Sequence, residues 1–301
     1  MTALFSRIVA AVDGSEASRD AVVLAARLAC EHEGHLILCH AVNWLPPVAQ
    51  LMSTGAIVDP APMLDSLGIE GEALLDEAAG AARGLGVDPE LRMVTGEPAE
   101  CLVELAGKAK CRLIVMGTHG RHGLGRLALG STAEAVLRLG TMPVLTVRAA
   151  ESAPGTRRRC FERILVGIDD SEPSDAAIRT VLDFPGEDRS ELMLYSVADQ
   201  ALAHGWAPRS VATIDLLRVE AQRIVDGAVA FARTRDVVAE GSVVDGAAAE
   251  ALIAAARERR ADLLVLGSHG RRGIQRFFLG SVAAAVVRAA PLPVLVVRAA
   301  N

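Results

Sequence analysis

The sequence predicts an α/β protein of two tandem domains. Each is an open, twisted, five-stranded parallel sheet with helices on both faces, in a flavodoxin-like or Rossmann-like winding. Three observations carry this prediction. The 301-residue chain suits two domains of roughly 150 residues each. Its two halves repeat one another. Within each half, short apolar runs alternate with segments of helical spacing, which implies parallel strands joined by crossover helices.

The repeat is explicit. Arg7-Ile-Val-Ala-Ala-Val-Asp-Gly-Ser15 recurs as Arg163-Ile-Leu-Val-Gly-Ile-Asp-Asp-Ser171, at an offset of 156. The segment from Gly117 to Arg148 recurs from Gly267 to Arg298 at an offset of 150, ungapped, with 18 of its 32 positions identical. That is a duplication, not chance. The drop in offset means that the second copy lost about six residues between its second and third strands. A repeat this long is a whole domain, which excludes a solenoid. The joint at residues 149–162 combines Pro, Gly and Ser with Arg157-Arg158-Arg159 and reads as an exposed, solvated linker. The domains are then 1–148 and 163–301.

In the first copy, Ile8–Val12 is a continuous apolar run, as in a strand covered on both faces. Ser15–Cys30 has helical spacing, and Leu36–Val42 is the second strand. A Pro-rich stretch from Trp44 to Pro62 precedes a helix over Leu64–Arg83. Leu91–Thr95 is the third strand. Pro98–Lys110 is a helix with proline near its start, where a missing N–H is tolerated. Leu113–Gly117 is a strand, Ser131–Leu139 a helix and Val144–Val147 the last strand. The second copy follows the same order. A flavodoxin-like winding places strands one and four side by side near the centre. It leaves the last strands, Pro143–Arg148 and Pro293–Arg298, as short apolar edges that invite pairing of the two halves within the chain.

Composition narrows the function classes. Net charge is −6 with a pI near 5.7, against the basic excess of nucleic-acid and membrane-surface binders. Five cysteines without CxxC spacing argue against a disulfide scaffold and a structural zinc site. No apolar run reaches the length of a membrane span. Asp13 and Glu16 interrupt the one candidate for a signal-peptide core, so a reduced, cytoplasmic setting is expected. Cys30, Cys39, Cys101 and Cys111 fall in apolar contexts and read as small core residues, whereas Cys160 sits in the linker and reads as exposed.

Ligands of open α/β sheets bind beyond the carboxyl ends of the strands, where the winding reverses. There the two copies agree. Strand one ends in Asp13, and in Asp169. Strand four ends in Gly117-Thr-His-Gly120, and in Gly267-Ser-His-Gly270. Ten residues later Gly130-Ser131, and Gly280-Ser281, open a helix. The glycines allow tight turns and close backbone approach. The helix start offers free N–H groups to an anion. Arg121 and Arg126, matched by Arg271 and Arg276, lie between, in a segment suited to wrapping a polyphosphate. The alternative is that the glycines are only turns and Ser131 only an N-cap, since Ser131-Thr-Ala-Glu134 fits a capping box. Ser281 lacks that glutamate, and the repetition of Asp, three glycines and Ser in both copies favours binding.

Gly-x2-Gly-x9-Gly-Ser after strand four, with Val-Asp-Gly-Ser at strand one, closely resembles the universal stress protein family. The resemblance covers nearly all of both halves and marks the ATP-binding branch. It implies an adenine nucleotide α-hydrolase-like fold. It implies main-chain adenine contacts at Ala41 and Val197, aspartates beside the ribose at Asp13 and Asp169, and contacts at Met116 and Leu266. Phosphate contacts map to Gly117, Gly120, Gly130, Ser131 and Thr132, and to Gly267, Gly270, Gly280, Ser281 and Val282. The ligand implied is ATP or another adenine nucleotide, with Mg2+ or Mn2+ bridging its phosphates. Dimerisation through the last strands is implied as well, within the chain and between whole chains. The second copy departs from the pattern with Asp169-Asp170-Ser171, which adds a carboxylate.

Other signals are weaker. A Walker loop, GxxxxGK[ST], and a GxSxG elbow are both absent. His119-x2-His122 could suggest a metal, but Arg272 replaces the second histidine in the repeat and no Cys or carboxylate cluster accompanies it, so the pair reads as solvated loop histidines; the shared His119 and His269 read as loop-shaping rather than acid–base residues. No base to position an attacking water is evident. Three functions compete: a nucleotide-binding regulator of a stress or dormancy response, a slow ATPase or nucleotide-dependent enzyme, and a nucleotide-free structural or chaperone-like dimer. Trp44 lies three residues beyond Ala41, where the second copy has Gln200. With the Pro-rich segment after it, Trp44 is either part of a lid over the nucleotide or a packing residue; Trp206 belongs to the shorter second-copy loop.

Overall fold

The computed structural model describes residues 4–44, 59, 61–120, 129–149, 159–184, 191–198, 211–270 and 279–299. The apolar runs become strands β1 (Arg7–Ala11), β2 (His35–Val42), β4 (Leu113–Gly117) and β5 (Val144–Val147), with the more polar β3 (Glu90–Thr95) at an edge. Helices α1 (Glu16–Glu31), α2 (Ala61–Gly84), α3 (Pro98–Lys108) and α4 (Ser131–Leu139) cross between them. The second half repeats the pattern as β6 (Arg163–Gly167), α5 (Glu172–Leu182), β7 (Glu191–Ala198), α6 (Val211–Arg233), β8 (Ala239–Asp245), α7 (Ala248–Glu258), β9 (Leu263–Gly267), α8 (Ser281–Ala289) and β10 (Val294–Val297).

The ten strands form one sheet in the order β3-β2-β1-β4-β5-β10-β9-β6-β7-β8. Every neighbouring pair is parallel except β5 and β10, which run antiparallel with Leu145 opposite Leu295. Strands β1 and β4 lie side by side, as do β6 and β9. Two five-stranded sheets thus join edge to edge and satisfy each other's open ladders.

Both faces of the sheet are covered by helices, and both cores run across the seam. One holds Leu145 and Leu295 with the buried sides of α1, α2, α5 and α6. The other holds Val144 and Val294 with α3, α4, α7 and α8. On the first face Phe5 stacks on His32 at 4.6 Å and meets Phe184 of the second half edge-on at 4.9 Å. Burying a leucine such as Leu145 contributes about 1.5–3 kcal/mol, so the seam is a hydrophobic core as well as a ladder.

Several local expectations are corrected. The second helix starts at Ala61, three residues before Leu64. The third stops at Lys108, because Lys110 takes a left-handed φ of 54° that a helix cannot continue. The missing residues of the second copy fall between β2 and α2, where residues 43–60 correspond to 199–210. Cys30 is exposed and Cys160 is buried, the reverse of the expectation, and Cys101 is half-buried. Cys160 and Phe161 close the linker by packing on the end of α1. The Cys160 amide donates to the Glu31 carboxylate at 2.8 Å. Burial, followed by the Glu31 hydrogen bond, pushes the Cys160 thiol far up from its ordinary range. Arg157 and Arg158 lie outside the described residues.

Candidate functional site

The first half carries a cavity of about 570 Å³ at the carboxyl ends of β1, β2 and β4. All eight residues singled out in that half line it: Asp13, Ala41, Met116, Gly117, Gly120, Gly130, Ser131 and Thr132. The winding explains this. The turn after β1 and the turn after β4 are neighbours because their strands are, and α4 starts where the second turn ends.

The first turn is held by two serines. Ser15 caps α1 by accepting from the Ser18 amide at 3.2 Å, and its own amide donates to Asp13 Oδ1 at 2.9 Å. The buried Ser18 hydroxyl donates to the Ala11 carbonyl at 3.0 Å and accepts from the Asp13 amide at 3.1 Å. Asp13 is therefore fixed through one oxygen, and its Oδ2 faces Gly120. A Cβ at Gly120 would stand 3.0 Å from that oxygen. The Ser15 hydroxyl also donates to the His119 carbonyl at 3.1 Å, which ties the two turns together. His119 lies with Nδ1 2.8 Å from Thr118 Oγ1, in keeping with a role in shaping the loop.

The glycines have separate reasons. At Gly117 a Cβ would sit 2.9 Å from the backbone of Ala17 and Ser18, so this glycine lets α1 pack against the end of β4. Gly120 makes room for the Asp13 carboxylate. The Gly130 amide is not free for a ligand, since it donates to the Thr118 carbonyl at 2.9 Å and closes the base of the loop. Nor is Ser131 an N-cap: Gly130 holds that position with φ −62° and ψ 141°, and no side chain caps the helix. The capping-box reading of Ser131-Thr-Ala-Glu134 therefore falls. By helix geometry, the amides of the first turn after Gly130 have no acceptor within the helix, and they open on the cavity.

Further lining residues that the sequence did not single out include His40, Asn43, Leu67 and Glu70. The His40 ring sits 2.7 Å from the Val12 carbonyl through Nδ1. A carbonyl only accepts, so Nδ1 carries the proton. Gly71 on α2 makes space for this ring, since a Cβ there would lie 2.8 Å from His40 Cδ2. Asn43 donates to Glu97 at 3.1 Å, which links the end of β2 to the start of α3. Cys39 also lines the cavity, and burial pushes its thiol up to about 12.

In the second half the same turns come together. The Ser171 amide donates to Asp169 Oδ1 at 3.2 Å, and the Ser171 hydroxyl donates to that oxygen at 2.5 Å. The Gly280 amide donates to the Ser268 carbonyl at 2.8 Å. Gly280 is the N-cap of α8, which Ser281 and Val282 open without a side-chain cap. Gly267 lets α5 approach β9, and a Cβ at Gly270 would run into Asp169 Oδ2. Leu266 and Val197 are the penultimate residues of β9 and β7, in the places that Met116 and Ala41 hold in the first half. Asp170 replaces Gly14 in the left-handed region, at φ 64°, and its carboxylate pairs with Arg223 of α6 at 2.6 Å.

Other expectations lie beyond what is described. Arg121, His122, Arg126, Arg271, Arg272, Arg276, Gln200 and Trp206 fall outside the described residues, as do residues 45–58 and 60 of the Pro-rich segment. Trp44 is exposed at 38%. Among the described residues, no group of three or more His, Cys, Asp or Glu side chains is placed to hold a metal ion, and no helix is long and apolar enough to cross a membrane.

Comparison with known proteins gives one answer. The profile of the Universal stress protein family matches residues 4–148 and again 161–298. A universal stress protein of Mycobacterium tuberculosis is 30% identical over 309 residues, covering 97% of this chain and 96% of that protein. One from Bacillus subtilis is 34% identical over 149 residues, covering 48% of this chain and all of its own length, 100%. The crystal structure of a universal stress protein from Archaeoglobus fulgidus superposes with a TM-score of 0.71 at 19% identity, covering 98% of this chain and 97% of that one.

Proposed function

The chain belongs to the universal stress protein family, and from that premise we propose that it is an adenine-nucleotide-binding regulator of a stress or dormancy response, working in the cytoplasm. ATP is the leading ligand, and the cavity of the first half is its primary site. The observation that carries this reading is the convergence of Asp13, the Gly117–Gly120 turn and the uncapped start of α4 on one cavity of about 570 Å³. That volume lies within the range of small-molecule sites, about 300–1,000 Å³.

In this reading Ala41 meets the base through its main chain, Asp13 meets the ribose, and Met116 forms the floor. The phosphates lie on Gly117, Gly120 and the turn from Gly130 through Ser131 to Thr132. The second half uses Asp169, Val197, Leu266, Gly267, Gly270, Gly280, Ser281 and Val282 in the same way. A divalent cation, Mg2+ or Mn2+, arrives bound to the phosphates, since the described side chains offer no ready-made cluster for it. Two nucleotide-binding domains, 1–148 and 163–301, are held by the linker 149–162 and by their paired edge strands. The output is occupancy rather than turnover: the groups that would hold the phosphates are backbone amides and glycines, which hold charge but do not move protons.

The deciding experiment denatures the purified protein, identifies any released nucleotide and counts moles per chain, with calorimetric titration of ATP beside it. A chain that neither carries nor binds adenine nucleotide defeats the proposal. Steady phosphate release faster than about 1 s⁻¹ would make it an enzyme instead.

A further inference from the structure

The helices that open at the two glycine turns are each held at their far end by the other half. Helix α4 ends in the carbonyls of Leu137 and Arg138, which accept from Nη2 of Arg298 at 2.6 and 2.7 Å. Helix α8 ends beside Arg288, whose carbonyl accepts from Nη1 of Arg148 at 3.1 Å. Arg138 and Arg288 are equivalent in the repeat, and so are Arg148 and Arg298. The caps are therefore reciprocal. A guanidinium at a helix C-terminus satisfies carbonyls that have no partner within the helix and offsets the negative end of its dipole. Arg298 is half-buried against those carbonyls, and this burial lowers its pKa.

The root of each arginine is fixed to a glycine turn of its own half. Arg148 follows Val147, whose carbonyl accepts from the Thr118 amide at 2.8 Å, inside the Gly117–Gly120 turn. Arg298 follows Val297, whose carbonyl accepts from the Ser268 amide at 2.7 Å, inside the Gly267–Gly270 turn. A continuous set of contacts thus runs from the first turn through Val147 and Arg148 to the end of α8, whose start forms the second site. The mirror path runs from the second turn through Arg298 to α4.

We infer that the two nucleotide sites are energetically coupled through these reciprocal arginine caps, so that filling one site tightens the other. The inference rests on the reading that both glycine turns bind adenine nucleotide. The structure shows each cap docked on the helix end; the coupling inferred here requires that without ligand a cap also spends time withdrawn into water. Phosphates that fix a glycine turn also fix the strand end from which the arginine springs, and so favour the docked arrangement. A docked cap holds the partner helix with its first-turn amides in place for the second ligand. Linkage makes the effect equal in both directions.

The test is calorimetric titration with ATP and Mg2+ of four proteins: the unmodified chain, Gly130→Glu, Gly280→Glu, and the double variant Arg148→Ala with Arg298→Ala. The two glutamate variants report each site alone. In the unmodified chain the second nucleotide should bind about fivefold or more tighter than its isolated site does. In the arginine variant both nucleotides should still bind, with the enhancement gone. Two sites that fill with their isolated constants overturn the coupling while leaving nucleotide binding intact. So does an enhancement that survives loss of both arginines. Absence of any binding to the unmodified chain instead overturns the functional reading, and the coupling with it. A second measurement needs no arginine variant. In Gly280→Glu, ATP in the first site should slow amide hydrogen exchange over residues 286–289 of α8 and its C-cap Ala290, and unchanged exchange there also overturns the coupling.

Discussion

The two halves are most alike at the turns after their first and fourth strands, and least alike on the floor between them, at the ends of β1 and β2 and of β6 and β7. Asp13 and Asp169 each accept through Oδ1 from the amide two residues on, and the Gly130 and Gly280 amides donate to equivalent carbonyls, those of Thr118 and Ser268. On the floor, by contrast, Cys39 is matched by Tyr195 and Ala41 by Val197. Ala11 is matched by Gly167, over which Leu252 and Leu266 close in, since a Cβ there would run within 2.9 Å of Leu252. His40 and Gly71 are matched by Ser196 and the buried Ala221, a large–small pair exchanged for two small residues. Groups that meet charge are thus repeated, while groups that meet shape have drifted. On the proposed function, the halves share a way of holding phosphate and differ in how well they accept the rest of the ligand.

The comparison breaks most severely at the seam, the one region that both halves own equally. Leu145 and Leu295 face each other at 1% and 2% exposure. Leu145→Ala alone should cost about 2–5 kcal/mol in denaturant unfolding. Leu145→Asp with Leu295→Asp sets two carboxylates against each other in a dry core and should part the halves or unfold them. A double variant with the unmodified scattering profile and unfolding midpoint would show that the seam does not hold the halves.

Next come Gly130→Glu and Gly280→Glu. Each should remove one nucleotide per chain, weakening its own site by about a hundredfold or more, because like charges brought together cost several kcal/mol. The second should also lower the melting temperature more. A Cβ at Gly280 comes within 2.9 Å of the His269 Cα, while at Gly130 the nearest atom is the Thr118 carbonyl oxygen at 3.1 Å. Unchanged stoichiometry in both variants would remove the glycine turns from the site.

A smaller effect sharpens the contrast between the first-strand turns. Asp170→Gly takes a carboxylate from the second site and relieves a left-handed residue, so ATP affinity there should rise about two- to tenfold, or about 0.4–1.4 kcal/mol. The reverse change, Gly14→Asp, should do more damage, because a Cβ at Gly14 would press on Leu74 Cδ2 at 2.6 Å. If calorimetry finds the second site indifferent to Asp170→Gly, the Arg223 pair already neutralises that carboxylate. The smallest effect is optical. In a Trp206→Phe chain, ATP should shift the emission of Trp44; a flat signal with the first site filled would leave Trp44 as a packing residue.

Much of this fold was legible because parallel strands covered on both faces announce themselves as unbroken apolar runs. Strands β4 and β5 and helix α4 match the expectation residue for residue. What was misread depends on neighbours distant in the chain. Cys160 looks like linker by composition, yet Phe161 beside it is a core residue that carries it inward onto α1. Ser131-Thr-Ala-Glu134 has the spacing of a capping box, but the extended backbone of Gly130 takes the cap position first. His40 stands within an apolar strand and gave no signal of its own. Its partner in space is Gly71, 31 positions later, and only the packing of α2 on β2 brings the two together. The site's charged and glycine residues were legible because they came twice, whereas floor residues such as His40 were not, because they came in two versions.

The continuous sheet also has a consequence for how the protein is made. Strand β5 leaves the ribosome with its outer ladder unsatisfied, and its partner β10 follows about 150 residues later. At about 5–20 residues per second, that is roughly 8–30 s of synthesis. A first half that folds before the second is complete spends that interval unsealed, with the apolar edge Val144–Val147 bare beside neighbouring nascent chains on the same message. The strand that completes the molecule is also the one that a neighbour could donate, and a sheet closed by the wrong copy would carry the same hydrogen bonds. Fast translation of the second half therefore protects the identity of the finished molecule as much as its yield.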